Sequence, residues 1–324
     1  MNPRFSVILL TTLIGAGQGL FIAVFAVELS VLFRLLPPPI TPWFYFYGAL
    51  LAFGFTLAGL VASIFHLGRP SRAWRSASQW RTSWLSREVI VMPAFMAVTL
   101  LYATAHFLDW NGSYGSADGR MTDSTILLGL AGVALAFALY VCTGMIYACL
   151  PFLREWATPL TVLNFTLLGL ASGFALAAAA TLARPPLVKV YAACALVFTV
   201  TGFLGRLASL ARNARLRPKS TLQTAIGIKH PRIAQKSKGF TADSFNTREF
   251  FHGRTMAFVR SVKWLFLLTA FVVPAALLAL GLAGAPRPTI VAAFGIQFLG
   301  LVAERWHFFA QANHPQNLYY QAVA

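Results

Sequence analysis

The sequence predicts an all-α, polytopic integral membrane protein, a single membrane domain over residues 1–324 with eight transmembrane helices and both termini cytoplasmic. Three observations carry this reading. Hydrophobic residues make up 58% of the chain and charged residues only 11%, too little polar surface for solubility in water. Apolar runs of about twenty residues, each long enough to cross roughly 30 Å of hydrocarbon as a helix, recur along the chain. Lys and Arg are shared unequally between the two sets of connecting loops. Hydrophobicity within the runs is continuous rather than alternating, which excludes the strands of a membrane barrel.

The first span covers about 6–36. Its opening stretch, MNPRFSVILL, lacks a short apolar core followed by a small-residue cleavage site, so it is read as a retained helix rather than a signal peptide. The run GAGQG at 15–19 follows no strand, and a phosphate-binding glycine loop would need one. The spacing of Gly15 and Gly19 is read as a close helix contact, with Gln18 able to hydrogen-bond across helices. Glu28 places a costly ionisable group in the outward half of this span. Pairing with a neighbouring cation or protonation is the plain expectation, and a proton path the sharper one.

The second span, about 43–65, ends in LVASIFHLGRP, where Gly68 and Pro70 stop the helix and leave His66 near the bilayer surface. The third, about 89–108, follows SWLSREV, with Ser86 expected as N-cap and Glu88 in the first turn, where a negative charge suits the helix dipole. His66 and Glu88 are thereby expected at similar depth on one side. Spans at about 122–150, 158–182 and 186–210 follow. A basic cytoplasmic loop at 211–260 is the largest extramembrane piece, and spans at about 261–284 and 288–310 complete the set. The first and fourth are long enough to tilt or to protrude.

With eight spans, the termini and the loops after the second, fourth and sixth helices share one face. That face holds 21 of the 26 Lys and Arg residues, leaving Arg34, Arg120, Arg184, Lys189 and Arg287 to the other. Basic residues favour the cytoplasmic side, and anionic headgroups attract the loops that carry them. Charge spread over membrane-flanking loops argues against a nucleic-acid partner. The cysteines Cys142, Cys149 and Cys194 fall in predicted helices without CxxC spacing, which speaks for packing rather than metal or cluster ligation. The histidines, at 66, 106, 230, 252, 307 and 314, lie at helix ends or in loops. Two axial ligands deep in a bundle are not available from that set, so no haem is expected.

The polar stretch FHLGRPSRAWRSASQWRTSWLSRE, residues 65–88, interrupts the apolar chain. From spacing alone, Glu88 caps a helix while His66, Trp74, Trp80 and Trp84 anchor the interface. HLGRPSRAWRS and RTSWLSRE, together with the eight spans, resemble the membrane anchor family of dimethyl sulfoxide reductases, the third subunits of molybdenum enzymes. The resemblance covers nearly the whole chain. It implies quinone binding and proton handling at the matching His66 and Glu88, and no haem in this chain.

The loop TLQTAIGIKHPRIAQKSKGFTADSFNTREFFHG and the tail ERWHFFAQANHPQNLYYQ are similar, more narrowly, to the anchors of cytoplasmic sulfite:quinone oxidoreductases. That likeness implies a molybdopterin catalytic subunit and an iron–sulfur subunit as partners on the cytoplasmic face of the inner membrane. Electrons from sulfite would then pass to ubiquinone or menaquinone. Under it, Arg69, Arg72, Arg75 and Arg81 join His66 and Glu88 as quinone-site candidates. With Arg87, these arginines serve equally well as docking or headgroup contacts. The rival readings are a quinol-oxidising anchor with electron flow reversed, and a transporter without redox role.

Overall fold

The computed structural model describes residues 1–36, 40–110, 123–217, 220–234 and 250–319. Among them, eight helices are long and apolar enough to span a membrane. They are α1 Phe5–Leu32, α2 Pro42–Ile64, α3 Trp84–Phe107, α4 Asp123–Ala148, α5 Pro159–Ala180, α6 Pro185–Ala214, α7 Met256–Leu282 and α8 Pro288–Ala310. The eight predicted spans each fall on one of these helices. Proline opens α2, α5, α6 and α8, a position where its missing N–H costs nothing and its fixed φ already suits the helix.

Helices α1 and α5 form the centre. Each is 72% buried over its most apolar window, against 28–39% for the other six. They cross through glycine. A Cβ on Gly19 would lie 2.4 Å from the Gly169 carbonyl oxygen, and one on Gly173 would lie 2.3 Å from the Gly19 Cα. Backbone therefore meets backbone, which a larger residue would prevent. The close contact expected of Gly15 and Gly19 is present, and its other half is a second GxxxG on α5. Gln18 does bond across helices, its Nε2 donating to the Ala136 carbonyl of α4 at 2.9 Å.

Even spans return the chain to its starting side. The Met1 ammonium donates to the Ala312 carbonyl at 2.8 Å, so the start of the chain meets the segment just after α8 at one end of the bundle. The loop after α2 lies at that end and forms a 3₁₀ helix at Pro70–Gln79. In the loop after α6, a one-turn helix at Leu222–Ile226 carries a capping box between Thr221 and Thr224. Because α6 continues to Ala214 and α7 starts at Met256, the segment expected as loop at 211–260 is helical at both margins. Residues 218–219 and 235–249 of that segment lie outside the described residues.

Two local expectations are corrected. The N-cap of α3 is Ser83 rather than Ser86: its hydroxyl accepts from the Ser86 N–H at 3.4 Å. Ser83 has extended backbone angles while Trp84 is already helical, so the helix begins one turn earlier and Glu88 falls in the second turn. Of the three cysteines, only Cys142 is buried. Cys194 is half-buried, and Cys149, just beyond α4, is exposed.

Candidate active site at the termini end of the bundle

Glu88 points into the bundle from the second turn of α3 and is only 7% exposed. Thr143 of α4 donates its hydroxyl to Glu88 Oε1. The carboxyl shares a cavity with Thr11, Gln18, Tyr140 and Phe165, drawn from α1, α4 and α5. Its volume is about 10 Å³, the space of one water. A carboxyl so enclosed can hold or pass a proton through water, but a ring-sized molecule cannot touch it there.

A second polar cluster lies beyond the Phe165 ring. Glu304 Oε1 is 2.7 Å from Arg206 Nε, and its Oε2 is 3.4 Å from Arg305 Nη1. Arg206 Nη2 reaches His307 Nδ1 at 3.4 Å. A guanidinium offers only donors, so that ring nitrogen accepts. The Arg305 guanidinium stands 3.6 Å from the Phe165 ring centroid. All four polar residues are buried, and two arginines around one carboxylate can lie inside a bilayer only because they are paired. Another water-sized cavity between them is lined by Asn164, Ser209 and the rim residue Glu155.

Sequence reasoning misses this cluster, although the cost of an ionisable group inside a span singles out Glu28. The same signal is present at Arg206, Glu304 and Arg305. The two arginines pass for loop charge because they sit near span ends.

His66 lies two residues beyond α2, half-buried. Its Nδ1 is buried and has no hydrogen-bond partner among the described residues. Burial lowers its pKa below the ordinary 6.5, and the nearby Arg4 lowers it further. His66 and Glu88 occupy the same end of the bundle, as expected, but among the described residues His66 does not line the cavity at Glu88. The neighbour of His66 near α1 is Arg4, whereas Glu88 lies against Leu10 to Gln18.

The loop arginines are placed differently again. Arg69, Arg72, Arg75 and Arg81 are exposed, with Arg75 and Arg81 over Trp74 and Trp80 at 5.5 and 5.4 Å. Arg87, half-buried, stacks over Trp84 at 4.2 Å and donates to the Trp80 and Arg81 carbonyls at 2.9 and 2.8 Å. It fastens the loop to α3. Among the described residues, none of the four exposed arginines is in the cavity that holds Glu88.

In the other half of the bundle, Glu28 is fully buried. Tyr102 donates its hydroxyl to Glu28 Oε2, and His106 Nε2 lies 3.4 Å from Oε1. The His106 ring stacks on Tyr45 at 4.6 Å. Glu28 thus has the His106 imidazole as a basic neighbour. No group of three His, Cys, Asp or Glu side chains suited to a metal occurs among the described residues.

Comparison with known proteins adds two findings. The model of the DMSO reductase anchor subunit (DmsC) family matches residues 1–282. A relative from Allochromatium vinosum, the C subunit of its sulfite dehydrogenase, is 51% identical over 327 aligned positions covering the whole of both chains.

Proposed function

The chain belongs to the DMSO reductase anchor subunit family, and from that premise we propose that it ties a sulfite-oxidising molybdenum enzyme to the membrane and delivers its electrons to quinone. The observation that carries the proposal is the Glu88 carboxyl, buried in an apolar span beside Thr143 and a water-sized cavity. Sulfite as the electron source rests on the full-length likeness to the sulfite dehydrogenase chain of Allochromatium vinosum. The partners are an iron–sulfur subunit and a molybdopterin catalytic subunit. They dock where the basic loops lie; the excess of Lys and Arg on that side supports a cytoplasmic orientation for it, in keeping with a chain of the inner membrane.

The residues fit a quinone at the His66 position and not at Glu88 itself. His66 offers a buried, unpartnered Nδ1 near the surface of the bundle, which suits a quinone oxygen. The cavity at Glu88 is too small for a ring. A bound quinone, ubiquinone or menaquinone, accepts two electrons and two protons. His66 orients its oxygen through a hydrogen bond, and a neutral imidazole can pass a proton there near neutral pH. Glu88 holds a proton in the interior, oriented by Thr143, and exchanges it through water. The exposed Arg69, Arg72, Arg75 and Arg81 act outside this chemistry, as a cationic surface for the iron–sulfur partner. The molybdopterin and the clusters belong to the partner chains in this reading, which expects neither haem nor metal in this one.

The test uses membrane vesicles with the complete complex. Sulfite-dependent reduction of a short-chain quinone is expected, and deletion of this chain should abolish it while leaving sulfite:ferricyanide activity in the soluble fraction. Quinone reduction that survives the deletion would refute the proposal. Quinol oxidation by a sulfoxide with no sulfite activity would reverse the direction of flow.

A further inference from the structure

The end of the bundle opposite the chain termini holds a groove of about 480 Å³ between α1, α2, α5 and α6, within the range of roughly 300–1,000 Å³ typical of ligand sites. Leu20, Val24 and Ala177 form its apolar floor, and Trp43, Tyr47 and Arg184 stand at its rim. Trp43 and Tyr47 are exposed and stack on each other at 5.9 Å. Amphipathic aromatics at a helix start mark the level of the membrane interface. The groove therefore opens sideways into the lipid, with its polar end at headgroup depth.

Among the described residues, Arg184 is the only charged side chain in the lining, and no carboxylate accompanies it. Its Nη2 donates to Thr41 Oγ1 at 3.2 Å, using one of five guanidinium hydrogens. Arg184 is the N-cap of α6, and Thr41 is the N-cap of α2. Two helix N-termini, the positive ends of their dipoles, thus converge on the guanidinium. Pro42, Pro185 and Pro186 have no N–H to offer, and α5 ends nearby with the opposite dipole. The sign of the site is set by the guanidinium.

We infer that this groove binds a phospholipid with an anionic headgroup, its phosphate on Arg184 and an acyl chain along the apolar floor between α1 and α5. A neutral isoprenoid ring would leave the guanidinium uncompensated, and a free anion would leave the floor unfilled. An amphiphile with one negative headgroup satisfies both. Neither the direction of insertion nor the proposed electron transfer bears on this site.

Photocross-linking of the full-length chain in mild detergent tests it. A phosphatidylglycerol with a diazirine on one acyl chain should label peptides containing residues 43–51 and 177–184. Unlabelled phosphatidylglycerol should compete, whereas phosphatidylcholine, inorganic phosphate and ubiquinone should not. Arg184→Gln keeps a donor for Thr41 but removes the charge, and should cut labelling about fivefold, the worth of one basic residue against an anionic headgroup. Arg184→Lys should retain most of it. Ala180→Trp, introduced at an exposed lining position, should block labelling while the chain still elutes as a folded species. Undiminished labelling of Arg184→Gln, equal competition by phosphatidylcholine, or displacement by ubiquinone alone would each overturn the inference.

Discussion

The loop at residues 65–83 and the interior behind it hold polar residues on opposite terms. In the loop, four arginines are exposed, and two of them lean on tryptophans. In the interior, Glu88, Arg206, Glu304 and Arg305 are each enclosed, and each has a named partner. A solvated charge is cheap to keep and cheap to lose. A buried one persists only with a partner or a task. The densest polar stretch of the sequence is thus mostly surface, while Glu88 and the Arg206–Glu304–Arg305 cluster are enclosed within apolar spans.

The largest effect should come from breaking the interior ion pairs. Glu304→Ala leaves two guanidiniums buried without their carboxylate and should cost about 3–5 kcal/mol, read as loss of membrane yield and a lower unfolding temperature. Arg72→Ala in the loop should leave both nearly unchanged. Equal losses would dissolve the contrast between the two regions.

The exposed arginines should matter to partners instead. Replacing Arg69, Arg72, Arg75 and Arg81 together by Gln should weaken retention of the iron–sulfur subunit, measured by co-purification. The wild-type complex should approach the same weakness as ionic strength rises, because exposed charges are screened. Normal retention with impaired quinone reduction would instead move these residues into the site.

The smallest effect concerns His66, which stands between the two environments. Its pKa is lowered on folding, so the unfolded chain binds the proton more readily. Its contribution to stability is therefore complete above about pH 6.5 and is lost as pH falls below that value. Wild-type unfolding temperature should fall more between pH 7.5 and pH 5.5 than that of His66→Gln, by about a degree or two. Identical slopes would show that His66 is solvated like the loop.

Hydropathy makes the eight spans legible because a span is a local property of twenty residues. The same holds for Gly15, Gln18 and Glu28, each conspicuous within its own helix. What escapes depends on partners far along the chain. Gly169 and Gly173 look ordinary until α5 crosses α1, and Arg206 looks like loop charge until it meets Glu304. Glu88 is found through its motif, yet its depth depends on whether Ser83 or Ser86 caps α3. Two serines three residues apart look alike in sequence, and only the extended backbone at Ser83 distinguishes them.

The central claim is that Glu88, although out of reach of a ring-sized molecule, serves the quinone. Glu88→Gln keeps the size and the hydrogen bond to Thr143 and removes the exchangeable proton. Sulfite-dependent quinone reduction and sulfite-dependent ferricyanide reduction should be measured on the same membranes across pH. Quinone reduction should fall by about 10²-fold, the lower range for loss of a positioned acid or base, with ferricyanide reduction and complex assembly intact. Wild-type quinone reduction in this variant would contradict the claim and leave Glu88 as a packing residue of α3.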